Sequence, residues 1–423
     1  MLIGKGSPHE LLRAAQVLEL CAQAFESRSL TGKRILAIIP DNTRSAPIDL
    51  MFRTVYQLLA DRVARLDFLI ALGTHPPLSE AGISQRLGLG NGELRTRYAK
   101  ARIFNHAWND AQQLARLGTI AADTVAEISN GMMHEPVTIT INKMIFDYDL
   151  LMIIGPTFPH EVVGFSGGNK YLFPGIAGRE IIDMFHWLGA LITSPVIIGT
   201  KHTPVRRVVD RAAAFVPVER MCLALVVKGS DLAGLYIGTP EEAWSAAADL
   251  SREIHIIYKE RPFAKVLSCA PAMYNDLWVG GKCTYKLEPV VTDGGELIIY
   301  APHIREISVS HGDEIRRIGY HVRDYFLKQM DKFRDVPGGI LAHATHVKGV
   351  GTFENGIEKP RINVVLATQI PAEVCRSINL GYRDPAAIKI EEWQDREDEG
   401  ILFVPKAGEI LYRLRDDPFK QHA

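Results

Sequence analysis

The sequence predicts an α/β fold, two α/β domains with an active-site cleft between them. Three observations carry that expectation. Short apolar runs rich in β-branched residues alternate with longer amphipathic stretches. The alternation breaks at Glu260–Pro262 and then begins afresh. No internal repeat or low-complexity stretch points to a solenoid or a disordered array.

In chain order, strands are expected at Arg34–Asp41, Asp67–Gly73, Val137–Ile145, Leu150–Thr157 and Leu223–Lys228. Helices are expected near Pro8–Phe25, Ala46–Arg65 and Arg206–Phe215. Thr239, Pro240 and Glu242 form a capping box that opens a helix over Thr239–Ile257. Beyond the break come strands at Ala264–Ala270, Glu296–Ala301, Gly339–His343 and Ile362–Ala367, with a helix over Ile315–Lys332. Residues 1–260 then form a cofactor-binding domain and 261–401 a domain supplying substrate contacts. The tail, 402–423, is a candidate to pack back on the first.

The 423 residues are 47% hydrophobic and 23% charged, enough for a substantial core. A net charge of -1 with no basic block argues against a general nucleic-acid binder. The five cysteines are odd in number and lack CxxC spacing, against a disulfide framework or a sequence-local thiolate metal site. The N-terminus lacks the apolar core of a signal peptide, and no run reaches the about 18 apolar residues of a membrane span. These features lead us to expect a cytoplasmic, thiol-reducing setting without a membrane or nucleic-acid partner.

The richest segment runs from Pro159-His160 through Phe165-Ser166-Gly167-Gly168-Asn169-Lys170 and Pro174-Gly175-Ile176-Ala177-Gly178 to His186. It follows a strand, where loops of open α/β sheets bind ligands. Its glycines let a ligand approach the backbone and leave amides for anionic groups. A Walker-type phosphate loop is excluded because Tyr171 stands where a Ser or Thr must follow the lysine, and no GxGxxG fingerprint is present. Taken singly, a strand-end histidine is commonly structural and a loop lysine commonly solvated. Three such residues in one glycine-rich segment favour a site.

Three further elements follow strands. Asp41-Asn42-Thr43-Arg44 stands before a helix, and N-capping by Thr43 or Ser45 explains it as well as function does. Gly73-Thr74-His75-Pro76 closes the next strand, where His75 is equally suited to a turn. Tyr274-Asn275-Asp276-Leu277-Trp278-Val279-Gly280-Gly281-Lys282 follows the strand ending at Ala270, and a solvated lysine is the plain reading of Lys282.

Histidine, nine residues, lysine, fifteen residues, histidine, with FSGG-x-K and PG-x-x-G between, resembles the nickel-dependent lactate racemase family. The resemblance implies a racemase or epimerase acting at C2 of a 2-hydroxy acid, an isomerase. It implies that Lys170 carries a nickel-pincer nucleotide through a thioamide bond, with His186 as a nickel ligand. His160 and His75 become the two proton-transfer residues, one per enantiomer, and Arg44 holds the substrate carboxylate. Asp41 orients an imidazole or the cofactor. Asp41, Thr43, Gly167 and Gly168 are assigned to the cofactor-binding set, and Lys282 faces the substrate. The C2 hydrogen moves as hydride to the nucleotide ring through a transient keto acid. Imidazole and sulfur donors suit nickel. Separate enzymes must supply the nucleotide.

Trp278 and Val279 replace a tyrosine and a glutamine of the family's pattern, which leaves a short 2-hydroxy acid or a sugar acid such as an aldonate as the substrate. Two other classes remain open: a metal hydrolase or dehydratase using His75, His160 and His186 as ligands, and a non-catalytic hydroxy-acid or nucleotide binder. His343 and His346 are expected just after a strand and, like His106, His303 and His311, carry no metal assignment. Oligomeric state is not legible in the sequence.

Overall fold

A computed structural model describes residues 1–43 and 45–420. It is a mixed α/β structure in two compact units. The first comprises Met1–Phe158, Phe165–Ile182 and Arg206–Ile254. The second comprises Pro159–Gly164, Asp183–Val205 and the described chain from His255 onward. No helix among the described residues is long and apolar enough to cross a membrane.

The first unit is built on a seven-stranded sheet in the order Ile3–Gly6, Asp231–Gly238, Glu219–Lys228, Leu150–Pro156, Arg34–Pro40, Arg65–Ala71, Ala101–Asn105. The last five run parallel, and the first two are joined antiparallel at one edge. Parallel strands are covered on both faces and therefore read as continuous apolar runs. Arg34–Pro40 is such a run, with every residue after Arg34 buried. The helix Ala14–Glu26 buries Val17, Cys21, Ala24 and Phe25, one stripe at helical spacing, against this core. The expected capping box closes the start of Pro240–His255: Glu242 N donates to Thr239 Oγ1 at 3.2 Å, and Thr239 N donates to Glu242 Oε2 at 3.3 Å.

The second unit holds a five-stranded, all-parallel sheet in the order Gly381–Tyr382, Asn363–Thr368, Val291–Ala301, Phe263–Cys269, Ile401–Val404. The tail lies here rather than on the first unit. Ile401–Val404 extends this sheet, and Leu411–Leu414 pairs in parallel with Ile256–Lys259. Buried Arg413 ties the tail to Asp417 and to the carbonyls of Pro195 and Ile198. The chain also enters this unit twice before residue 255, at Pro159–Gly164 and Asp183–Val205, which no composition shift marks.

Two elements differ from expectation. Gly338–Lys348 is a helix, not a strand, so His343 and His346 are helical residues. Every residue from Ile340 to Lys348 is buried, and burial on all sides erases the helical periodicity that marks an amphipathic helix. The long helix expected over Ile315–Lys332 is instead Gly312–Ile318, Arg323–Leu327 and a 3-10 turn, interrupted at left-handed Gly319.

Candidate active site

In the first unit the order of crossovers reverses between two neighbouring parallel strands. The chain leaves Arg34–Pro40 toward Arg65–Ala71 on one side and leaves Leu150–Pro156 toward Glu219–Lys228 on the other. Loops diverging from such a switch point open a crevice at the strands' carboxyl ends. Asp41 follows the first strand, and Thr157 follows the second.

Asp41 is buried. Its Oδ1 accepts from Thr43 N at 3.1 Å and Thr43 Oγ1 at 2.8 Å. Its Oδ2 lies 2.5 Å from His75 Nδ1. A carboxylate on Nδ1 fixes the ring's proton there, leaving Nε2 as the lone-pair nitrogen and supporting the imidazolium that forms when it takes a proton. Gly73 N, in the same turn as His75, donates to Gly175 O at 3.0 Å, tying this turn to the lysine loop.

That loop is clamped from beneath at three consecutive carbonyls. Trp244 Nε1 donates to Ser166 O at 2.9 Å. Arg206 donates to Phe165 O at 2.5 Å and Gly167 O at 3.2 Å, with its guanidinium 4.0 Å from the Trp244 ring centroid. Burial pulls the Arg206 guanidinium down to about 10. Gly167 and Gly168 have φ of 91° and 59°. A Cβ on Gly167 would stand 2.5 Å from Thr157 Oγ1, and one on Gly168 2.9 Å from Trp244 Cβ. Only glycine therefore fits this turn. Lys170 lies in the short 3-10 turn that follows, Gly168–Tyr171. Asn169 anchors the turn by donating to Asp210 at 3.0 Å and Glu241 at 2.7 Å.

Residue-by-residue reading passed over Arg206, Trp244, Thr157 and Arg86. Arg86 ends a short helix. Burial draws its guanidinium downward, while Asp41, Tyr171 and Asp49 oppose the shift. Its Nη2 is buried without a hydrogen-bond partner. Nothing in the local sequence marks these residues, because their roles come from elements distant along the chain. His106 proves structural: its Nε2 meets Ala177 O at 2.9 Å and its Nδ1 meets Asn142 Nδ2 at 3.2 Å. Arg44 lies outside the described residues.

His160, His186 and Lys282 belong to the second unit. His160 is buried, and its Nδ1 accepts from Val162 N at 3.2 Å, which places the neutral ring's proton on Nε2. Glu161 Oε2 stands 3.4 Å from the same Nδ1 and meets the ring when it is charged. His186 lies on the helix Arg179–Ile192. One turn before it, Asp183 Oδ1 accepts from Gly339 N at 3.0 Å. Lys282 is buried, with Nζ 5.0 Å from the Tyr274 ring centroid. Trp278 stacks on His343 at 4.1 Å and meets His311 at 4.5 Å, and Tyr320 Oη lies 3.2 Å from His343 Nε2. Burial, followed by the charges of His346, His311 and His186, holds His343 well below the ordinary imidazole range. Among the described residues no group of three or more His, Cys, Asp or Glu side chains is gathered as a metal site.

Residues 6–196 match the family described as the lactate racemase N-terminal domain. The lactate racemase of Lactiplantibacillus plantarum is 25% identical over 266 residues, covering 61% of this chain and 54% of that protein. The lactate racemase of Thermoanaerobacterium thermosaccharolyticum is 24% identical over 297 residues, covering 67% of this chain and 62% of that protein. The matches thus span between about half and two thirds of these relatives' own length. A crystal structure of a protein from Thermotoga maritima superposes with a TM-score of 0.89 at 32% identity, covering 97% of this chain and 100% of that one. The lactate racemase apoprotein of Thermoanaerobacterium thermosaccharolyticum shares the fold, with a TM-score of 0.71 at 18% identity over 95% of this chain and 93% of that one. Residues 6–196 of the chain therefore carry the N-terminal domain of the lactate racemase family.

Proposed function

We propose that the protein is an isomerase that inverts C2 of a 2-hydroxy acid with a nickel-pincer nucleotide held on Lys170. The observation that carries this reading is the Asp41–His75 pair at the mouth of the switch point, tied through Gly73 and Gly175 to the glycine-rich Lys170 loop. The residues present fit the group. Thr157 Oγ1, directly under Gly167, is buried with no hydrogen-bond partner, an orphaned polar atom at the foot of the lysine loop. His186, on the helix Arg179–Ile192, would be the protein's contribution to a metal whose other donors come from the nucleotide.

When bound, the group supplies an electron-poor ring that takes up and returns the C2 hydrogen with its electron pair. The chain's own residues handle the proton. His75 Nε2 accepts the hydroxyl proton of one enantiomer while Asp41 stabilises the ring's charge. In that direction His160 acts as the imidazolium, its Nδ1 side facing Glu161, and gives its Nε2 proton to the oxygen of the other enantiomer, leaving a neutral ring that takes the hydroxyl proton back at Nε2 on the reverse course. Arg44 holds the substrate carboxylate, and Lys282 faces the substrate. Trp278, stacked on His343, stands where the family carries a tyrosine, which supports either a short 2-hydroxy acid or a sugar acid such as an aldonate.

Protein from a host that makes the nucleotide, incubated with a panel of enantiopure 2-hydroxy acids and aldonates, is expected to yield the C2 epimer of at least one by chiral chromatography. A cofactor-loaded protein that leaves the whole panel unchanged would sink the proposal.

A further inference from the structure

The second unit also contains a small recess of about 10 Å³, partly open to solvent. Ser194, Glu288 and His346 line it from three different elements. All three are nearly sequestered from solvent, at 2%, 0% and 5% exposure. Ser194 Oγ, Glu288 Oε2 and His346 Nε2 each lack a hydrogen-bond partner. A buried polar atom left without a partner is costly, so three on one recess point to an occupant that the protein chain does not supply.

The donor chemistry selects the occupant. Glu288 Oε1 is already engaged by Val350 N at 2.7 Å, which leaves Oε2 for the recess. Gly349, with φ of 87°, makes room for this carboxylate, since a Cβ there would stand 2.7 Å from Oε1. Burial draws the His346 imidazole down to about 4, so near neutral pH the ring keeps a lone pair. Arg323 also lines the recess, but its charge is committed to Asp324 at 2.8 Å and to Leu191 O at 2.8 Å. A carboxylate oxygen, an imidazole nitrogen and a hydroxyl together suit a borderline cation better than sodium, magnesium or calcium, which favour all-oxygen sites.

We infer that this recess binds a divalent first-row transition ion of the zinc type, with Glu288 Oε2 and His346 Nε2 as strong ligands and Ser194 Oγ as a weak one. Solvent on the open side completes its coordination. The ion joins the segment after Arg179–Ile192 to the helix Gly338–Lys348 and the turn Glu288–Val290, and it is distinct from any metal held through His186.

Zinc chloride alone is the probe, added to metal-stripped full-length protein and followed by calorimetric titration and thermal melting. The wild type and H186A are expected to share one zinc equivalent that raises the melting temperature. E288Q and H346Q should each lose that equivalent, with affinity reduced at least tenfold. Anomalous scattering at the zinc edge from soaked crystals reads the site directly, even where a variant folds poorly. A zinc peak bonded to Glu288 and His346 sustains the assignment. A water in its place, or zinc stoichiometry unchanged in both variants, would overturn it.

Discussion

His75 and Asp41 show how much one hydrogen bond decides. In the sequence, Asp-x-Thr-Arg before a helix is as good a cap as a catalytic element, and in the structure Asp41 has two kinds of partner. Asp41 does bond Thr43, as a local turn would, yet its second oxygen is spent on His75, 34 residues away. D41N keeps the volume and loses the charge that fixes the imidazole tautomer. The expected result is a fall in kcat on the order of 10²–10⁴-fold with the Lys170 adduct retained. An unchanged kcat would remove His75 from the proton path. His106 offers a pH test at the same scale. Burial pulls its imidazole down to about 4 from 6.5, so the unfolded chain takes up a proton at a higher pH than the folded one. Its contribution to stability is present above pH about 6.5 and is lost as pH falls toward 4, by roughly 2 kcal/mol at pH 5. Denaturant unfolding at pH 7 and pH 5 should show this loss in the wild type and a smaller one in H106N; equal losses would refute it.

Among the elements, strands were more legible than helices, and the lysine loop was legible in composition but not in support. Leu150–Pro156 and Arg34–Pro40 announce themselves because parallel strands buried on both faces read as unbroken apolar runs. Gly338–Lys348 hid for the same physical reason, since a helix buried all round has no polar stripe. Gly167, Gly168 and Lys170 were visible as a motif. Arg206 and Trp244, which hold three successive carbonyls of that loop, were not, because nothing local to residues 206 or 244 records a partner some 40 to 80 positions away. W244F removes the donor to Ser166 O and leaves a buried carbonyl unsatisfied, a cost of about 1–3 kcal/mol. Its denaturation midpoint should drop accordingly, and less adduct should accumulate on Lys170 under matched expression. A variant with wild-type stability and loading would show that the clamp is dispensable.

For the whole molecule, the α/β class was readable, whereas the threading was not. The chain enters the second unit at Pro159–Gly164 and Asp183–Val205 as well as from His255 onward, and the two earlier visits come without any break in composition. As a result His160 and His186 belong to one unit and Lys170 to the other, although all three share one motif. The functional account rests on that lysine, and intact mass spectrometry tests it most directly. Protein made in a host that produces the nucleotide should carry a mass increase of nucleotide size. Peptide mapping should place it on Lys170, and K170A should lack both the adduct and C2 inversion. Protein that inverts C2 with an unmodified Lys170, or that carries the adduct on another residue, would contradict the account.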